Sequence, residues 1–173
     1  DDKLLILDNG AYGERTHLIA KAYGVPHNTI YCRWDEYPNE LKLEEEILKD
    51  GSFTHCFFVH HETTTGMLNP LEAMLQLCRK HELVSIVDTI SSYAGIPIDL
   101  RQVPIDYLIS SSNKCIQGFP GICFVIAKKA ALLKIETLPK RNYYLNLFEN
   151  WKFIDEEHEF QFTPPVQVLY ALS

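Results

Sequence analysis

The chain has 173 residues, enough for one domain with its own core. Its 23 acidic and 16 basic residues give a net charge of −7, which leaves no basic stripe to neutralise phosphates and excludes a general nucleic-acid binder. No apolar run approaches the roughly 18 residues that a membrane-spanning helix needs.

Apolar runs alternate with helical patterns along the chain. Leu4-Leu5-Ile6-Leu7 reads as a strand ending at Asp8-Asn9-Gly10. Glu14 to Tyr23 reads as a helix with Leu18, Ile19 and Ala22 on its buried face and Gly24 as its stop. Thr29 to Cys32 is a second strand, Leu41 to Lys49 a helix clustering Leu43, Ile47 and Leu48, and Thr54 to His60 a third strand. Asn69 is expected to N-cap the next helix, with Pro70 at its first position. Leu71, Met74, Leu75 and Cys78 then fall at i, i+3, i+4 and i+7, a single buried stripe. Val84 to Val87, Tyr107 to Ile109 and Ile122 to Ala127 complete six strands. Tyr143 to Trp151 and Val166 to Leu172 read as further helices, the latter opened by Thr163-Pro164-Pro165.

Strands that are apolar on both sides and separated by helices predict a mostly parallel sheet in a three-layer α/β/α fold. The last two strands are joined by about a dozen residues without a helical pattern, so the final strand is expected to run antiparallel. The cysteines, Cys32, Cys56, Cys78, Cys115 and Cys123, are odd in number and contain no C-x-x-C pair, which argues against a disulfide framework or a zinc site. Cys32, Cys56 and Cys123 are expected to be buried free thiols. Asp1-Asp2-Lys3 carries neither a leader pattern nor an initiator Met, so a cytoplasmic setting and a piece of a longer protein are expected.

Ligands of such sheets bind at the carboxyl ends of the strands. There the sequence places Tyr12 after the first strand, His60-His61-Glu62-Thr63-Thr64-Thr65 after the third, Asp88 at the end of the fourth and Lys114 after the fifth. Taken singly, each has a duller role. Tyr12 can pack, the threonines can shape a turn, Asp88 can cap Thr89–Ser92, and Lys114 can snorkel to solvent. His60, His61 and Glu62 do not predict a metal site, because neighbours on a strand point to opposite faces. Together the four positions suit pyridoxal phosphate. That cofactor takes a lysine as a Schiff base, a carboxylate at its pyridine nitrogen, a flat side chain over its ring and donors for its oxygens. The serines before Lys114 are expected to leave room for the ring, and partial desolvation of Lys114 to keep its amine reactive. A dinucleotide fold is disfavoured, since Gly10 and Gly13 have the wrong spacing for G-x-G-x-x-G.

The stretches NGAYGER (9–15), HHETTTGMLNPLE (60–72), VDTISSYAGIPID (87–99), SSSNKCIQGFPG (110–121) and FTPP (162–165) resemble the class V, fold-type-I pyridoxal-phosphate aminotransferases. Within that class they resemble the 2-aminoethylphosphonate–pyruvate transaminase group. The resemblance implies a fold-type-I large domain over residues 1–173, without the N-terminal segment that carries a first phosphate loop and without the C-terminal small domain. It implies Lys114 as the Schiff-base lysine and Asp88 as the partner of the pyridine nitrogen. It also implies Tyr12 stacked on the ring, Thr63 near the ring's phenolic oxygen, and Thr163 reaching the cofactor phosphate of a partner subunit in a cytoplasmic homodimer. The implied substrates are 2-aminoethylphosphonate and pyruvate, and the products phosphonoacetaldehyde and alanine. An alanine–glyoxylate type aminotransferase and a catalytically incomplete domain used for dimerisation are the alternatives.

Overall fold

The computed structural model describes residues 2–173; Asp1, the first residue of the Asp1-Asp2-Lys3 stretch, lies outside the described residues. In chain order the elements are β1 (Leu4–Asp8), α1 (Ala11–Ala22), β2 (His27–Tyr31), α2 (Glu40–Lys49), β3 (His55–Val59), β4 (His61–Glu62) and β5 (Met67–Leu68). There follow α3 (Leu71–Lys80), β6 (Val84–Asp88), β7 (Tyr107–Ser111), β8 (Cys123–Ala127), α4 (Lys129–Lys134), α5 (Leu147–Lys152) and α6 (Val166–Leu172), with a π-helical turn at Phe153–Glu157. Six strands form one sheet in the order β2-β1-β3-β6-β7-β8, while β4 and β5 make a separate antiparallel ribbon. All neighbours in the large sheet are parallel except β7 and β8. That exception follows from the short connection, which leaves no chain for a crossover.

The strand residues alternate between two cores, as the period of two requires. Leu5, Leu7, Cys56, Phe58, Val87 and Leu108 pack with Leu43 and Ile47 of α2 and with Leu71, Met74, Leu75 and Cys78 of α3. Ile6, Phe57 and Val59 face the other way, against Tyr12 and Ala20 of α1, and Tyr107 meets Leu132 of α4 and Phe148 of α5 on that side. The fold is therefore three-layered. β1 is flanked by β2 on one side and β3 on the other, so the chain reverses direction across the sheet there. The crevice at that switch point opens at the carboxyl ends of β1 and β3.

Several sequence expectations are corrected. Leu18 and Ile19 are 54% and 52% exposed. Helix α1 instead meets the sheet through small residues, because a Cβ on Gly13 would lie 2.7 Å from Asp8 Cα. Leu48 is exposed, while Leu43 and Ile47 are buried. Cys123 is exposed because β8 is an edge strand, and Cys32 is only half-buried. The helix expected over Tyr143–Trp151 is confined to Leu147–Lys152, where Asn146 accepts the Glu149 amide and caps it.

Asn69 is not a helix cap. Pro70 takes that position with no side-chain bond. Asn69 is buried, donating to Val59 O (2.7 Å) and Asn9 Oδ1 (3.2 Å), while Asn9 Nδ2 donates to Asn69 Oδ1 (2.8 Å). This amide pair fastens the end of β1 to the entrance of α3. The pairing won because both side chains are buried at the switch point, where an unmatched amide is costly.

Candidate active site

Strand β6 delivers Asp88 to the rim, and β7 beside it runs parallel with Asp88 opposite Ile109. Lys114 follows three residues after the end of β7. Asp88 is half-buried; its Oδ1 accepts the Ile90 amide at 2.8 Å, and its Oδ2 has no hydrogen-bond donor among the described residues. Burial pushes the Asp88 carboxyl above its ordinary range, the Ile90 amide opposes this, Glu62 adds to it, and Arg15 pulls the other way.

The loop bearing Lys114 is rigidly built. Ser112 is fully buried, donates to Phe119 O at 2.5 Å and receives Gly118 N on its carbonyl at 2.8 Å. The Gln117 amide closes on Lys114 O at 2.8 Å, with Gln117 itself in the left-handed region at φ 63°. The serines before Lys114 are buried, and Ser112 spends its hydroxyl on shaping the loop. Lys114 is exposed, which corrects the expectation of a desolvated amine within this chain, and it has no ion-pair partner among the described residues.

Ser91 joins three loops. Its hydroxyl accepts from Thr63 at 2.8 Å, and its carbonyl accepts from His61 Nδ1 at 3.2 Å and from Cys115 Sγ at 3.5 Å. Thr63, the Asp88 loop and the Lys114 loop are thereby brought to one place. The close approach of Gly95, where a Cβ would fall 2.7 Å from Cys115 Sγ, tightens the same junction. Tyr12, half-buried, packs on the cluster of Ile6, Phe57 and Val59 and carries the Arg15 guanidinium 4.8 Å from its ring centroid. Thr163 is exposed and makes no hydrogen bond to a rim residue among those described. Helix α6 just after it covers the loop beyond Lys114, since Cβ atoms on Gly118 and Gly121 would lie 2.8 Å from Leu172 Cδ2 and 3.4 Å from Val168 Cγ2.

His60, His61 and Glu62 diverge: His60 to Ser92 Oγ at 2.9 Å, His61 to Ser91 O, and Glu62 to the start of α1. No cluster of three metal-ligating side chains occurs among the described residues. Burial, then His61, lowers the His60 pKa from 6.5 to about 4. Its folded value lies below its unfolded one, so the unfolded chain takes up a proton first. Stability is therefore expected to fall as pH drops from about 6.5 to about 4, by at most about 3 kcal/mol. Urea titrations at stepped pH check this, and His60→Gln should flatten the slope.

A groove of about 340 Å³ is lined by Tyr93–Ile98, next to this junction and without Asp88 or Lys114 in its wall. Donor chemistry, rather than that volume, marks the site. A half-buried carboxylate with one oxygen free of hydrogen-bond donors, an exposed primary amine and a neighbouring hydroxyl fit a protonated pyridine ring that bears an aldehyde and a phenolic oxygen, as in pyridoxal phosphate. Sequence reasoning missed Ser91 and Arg15 as parts of this rim and gave Glu62, which it placed there, no role.

The three-layer, mostly parallel sheet matches solved aminotransferases of the fold-type-I transferase class. Residues 21–173 match the family model described as aminotransferase class-V, and the chain belongs to that family. It is 39% identical to the 2-aminoethylphosphonate–pyruvate transaminase of Lactiplantibacillus plantarum, over 100% of this chain and 47% of that protein. It is 40% identical to the Klebsiella pneumoniae protein of the same name, over 99% of this chain and 47% of that one. Among solved structures, pyridoxamine–pyruvate aminotransferase from Mesorhizobium loti superposes with a TM-score of 0.89 at 25% identity, over 99% of this chain and 44% of that one. Alanine–glyoxylate aminotransferase from Nostoc sp. gives 0.86 at 29% identity, over 99% and 46%. The chain spans about half the length of the relatives it matches.

Proposed function

We propose that this chain is the large, cofactor-binding portion of a pyridoxal-phosphate-dependent transaminase that moves the amino group of 2-aminoethylphosphonate to pyruvate. The observation that carries the reading is a half-buried Asp88 at the end of β6, beside a loop from the adjoining strand β7 that presents Lys114. Identities near 40% to proteins of that name support the choice of substrates. The other half of a longer enzyme would supply the first phosphate loop and the small domain. A homodimer, with Thr163 reaching a partner's site, and a cytoplasmic location complete the reading. No helix among the described residues is long and apolar enough to cross a membrane.

When bound, pyridoxal phosphate supplies a cationic conjugated ring that accepts the electron pair left by a departing proton. Asp88 Oδ2 would hold the proton on the ring nitrogen, Tyr12 would cover a ring face, and the Thr63 hydroxyl would meet the phenolic oxygen. Lys114 Nζ would anchor the cofactor, and its amine is the group that would accept the proton of the substrate's amino carbon as general base.

The test is borohydride reduction of the full-length enzyme loaded with pyridoxal phosphate, followed by peptide mass spectrometry. The adduct is expected on Lys114; an adduct elsewhere, or none, overturns the reading. Turnover of 2-aminoethylphosphonate compared with alanine and serine decides the donor.

A further inference from the structure

We propose that Glu62 is the positioning residue that holds Tyr12 and Thr63 in register at the candidate site. Helix α1 begins at Ala11 behind Gly10, a residue with no side chain to cap it. Its first amides must therefore find acceptors elsewhere. They find them some 50 residues away in sequence. Glu62 Oε2 accepts from Tyr12 N at 3.1 Å and Gly13 N at 3.4 Å. Thr64 Oγ1 accepts from Ala11 N at 3.1 Å and donates to Glu62 Oε1 at 2.7 Å, where the Thr64 amide also arrives at 3.3 Å.

Glu62 is 0% exposed. A buried carboxylate survives only where donors and favourable dipoles surround it, and the amino end of a helix provides both. Gly10 is glycine for the same reason: a Cβ there would lie 2.3 Å from Glu62 Cγ. Tyr12 is one residue inside the helix that Glu62 clamps. Thr63 is its chain neighbour, held at the far side by Ser91. One carboxylate thus fixes the distance between the residue assigned to the ring face and the residue assigned to the phenolic oxygen. The negative charge of Glu62 also bears on Asp88, where it raises the carboxyl against the pull of Arg15.

This inference rests on the assignment of Tyr12 and Thr63 to the cofactor, and two readouts separate it from that assignment. Hydrogen exchange on full-length apoenzyme tests the clamp itself. Glu62→Gln should speed exchange at the amides of residues 11–13 and 64 at least tenfold, with little change in the strands. Unchanged protection there overturns the proposal whatever the cofactor does. Cofactor affinity tests the role. Glu62→Gln should raise the dissociation constant for pyridoxal phosphate tenfold or more and weaken the visible circular dichroism of the bound ring. Gly10→Ala, which pushes on the same contact from the other side, should do likewise. In a Tyr12→Ala/Thr63→Ala background the Glu62→Gln effect on affinity should largely vanish, because the residues it positions are gone. An effect of full size in that background makes Glu62 merely structural and overturns the proposal. Wild-type enzyme that protects these amides but binds no pyridoxal phosphate refutes the cofactor assignment instead, and with it the positioning role of Glu62, leaving the clamp as architecture.

Discussion

Lys114→Ala in the full-length enzyme is expected to lower turnover of 2-aminoethylphosphonate by at least about 10⁴-fold, the upper range for removing a general base, with loss of the covalent anchor added to it. The borohydride adduct should disappear with it. Lys114→Arg separates charge from nucleophilicity. Arginine keeps the positive charge but stays protonated, so it can neither attack an aldehyde nor accept a proton, and it should be as dead as alanine. The exposure of Lys114 sharpens the expectation. No packed shell depends on its side chain, so neither variant should unfold the protein, and loss of activity with an unchanged melting temperature is the predicted signature. A small primary amine added to Lys114→Ala should restore part of the rate by standing where Nζ stood. Activity within tenfold of wild type in either variant removes Lys114 from the mechanism.

The sheet was legible because its strands are short, continuous and bounded by turn residues. Buried parallel strands leave few other readings for runs such as Leu4–Leu7 or Phe57–Val59. The antiparallel edge β8 was legible from connection length alone. What periodicity could not show was how closely α1 approaches the sheet. Gly13 against Asp8 turns the small face inward and strands Leu18 and Ile19 outside, and only coordinates reveal that contact. Asn69 misled for a related reason. An asparagine before a proline reads as a cap, yet its partner Asn9 lies 60 residues away and took both of its functional groups. The rim residues Asp88, Thr63 and Lys114 were visible because each follows a strand. Tyr12 was visible because it follows β1, although its packing beneath Arg15 was not. Glu62 hid in plain view within HHETTTG, since once a metal was set aside it had no role, and its true donors are amides that no sequence pattern displays. Thr163 makes no hydrogen bond to a rim residue among the described residues.

Asp88→Asn should produce effects of opposite sign on stability and on catalysis. Asparagine keeps the size of the side chain and an oxygen for the Ile90 amide, so the turn after β6 survives. What it removes is the charge. In the protein without cofactor that charge is held against burial and against Glu62, which is why the Asp88 carboxyl is raised above its ordinary value. A carboxyl whose folded value lies above its unfolded one costs stability once pH rises through the carboxylate range. Asp88→Asn apoenzyme should therefore melt higher than wild type at pH 7, and the gain should fade toward pH 3, where wild type is protonated as well. With pyridoxal phosphate bound the balance reverses. A carboxylate about 4 Å from a ring N–H⁺, at an effective dielectric near 20, is worth about 4 kcal/mol, or roughly 10³-fold in rate if it holds the ring cationic as negative charge develops. Asp88→Asn should accordingly keep its borohydride adduct on Lys114, lose about 10³-fold in turnover, and show the bound chromophore losing its ring proton at lower pH. The combination discriminates between two roles for this carboxylate. Were Asp88 only capping the turn at Thr89–Ser92, the melting temperature would still rise, but asparagine would serve almost equally well in catalysis and turnover would stay near wild type.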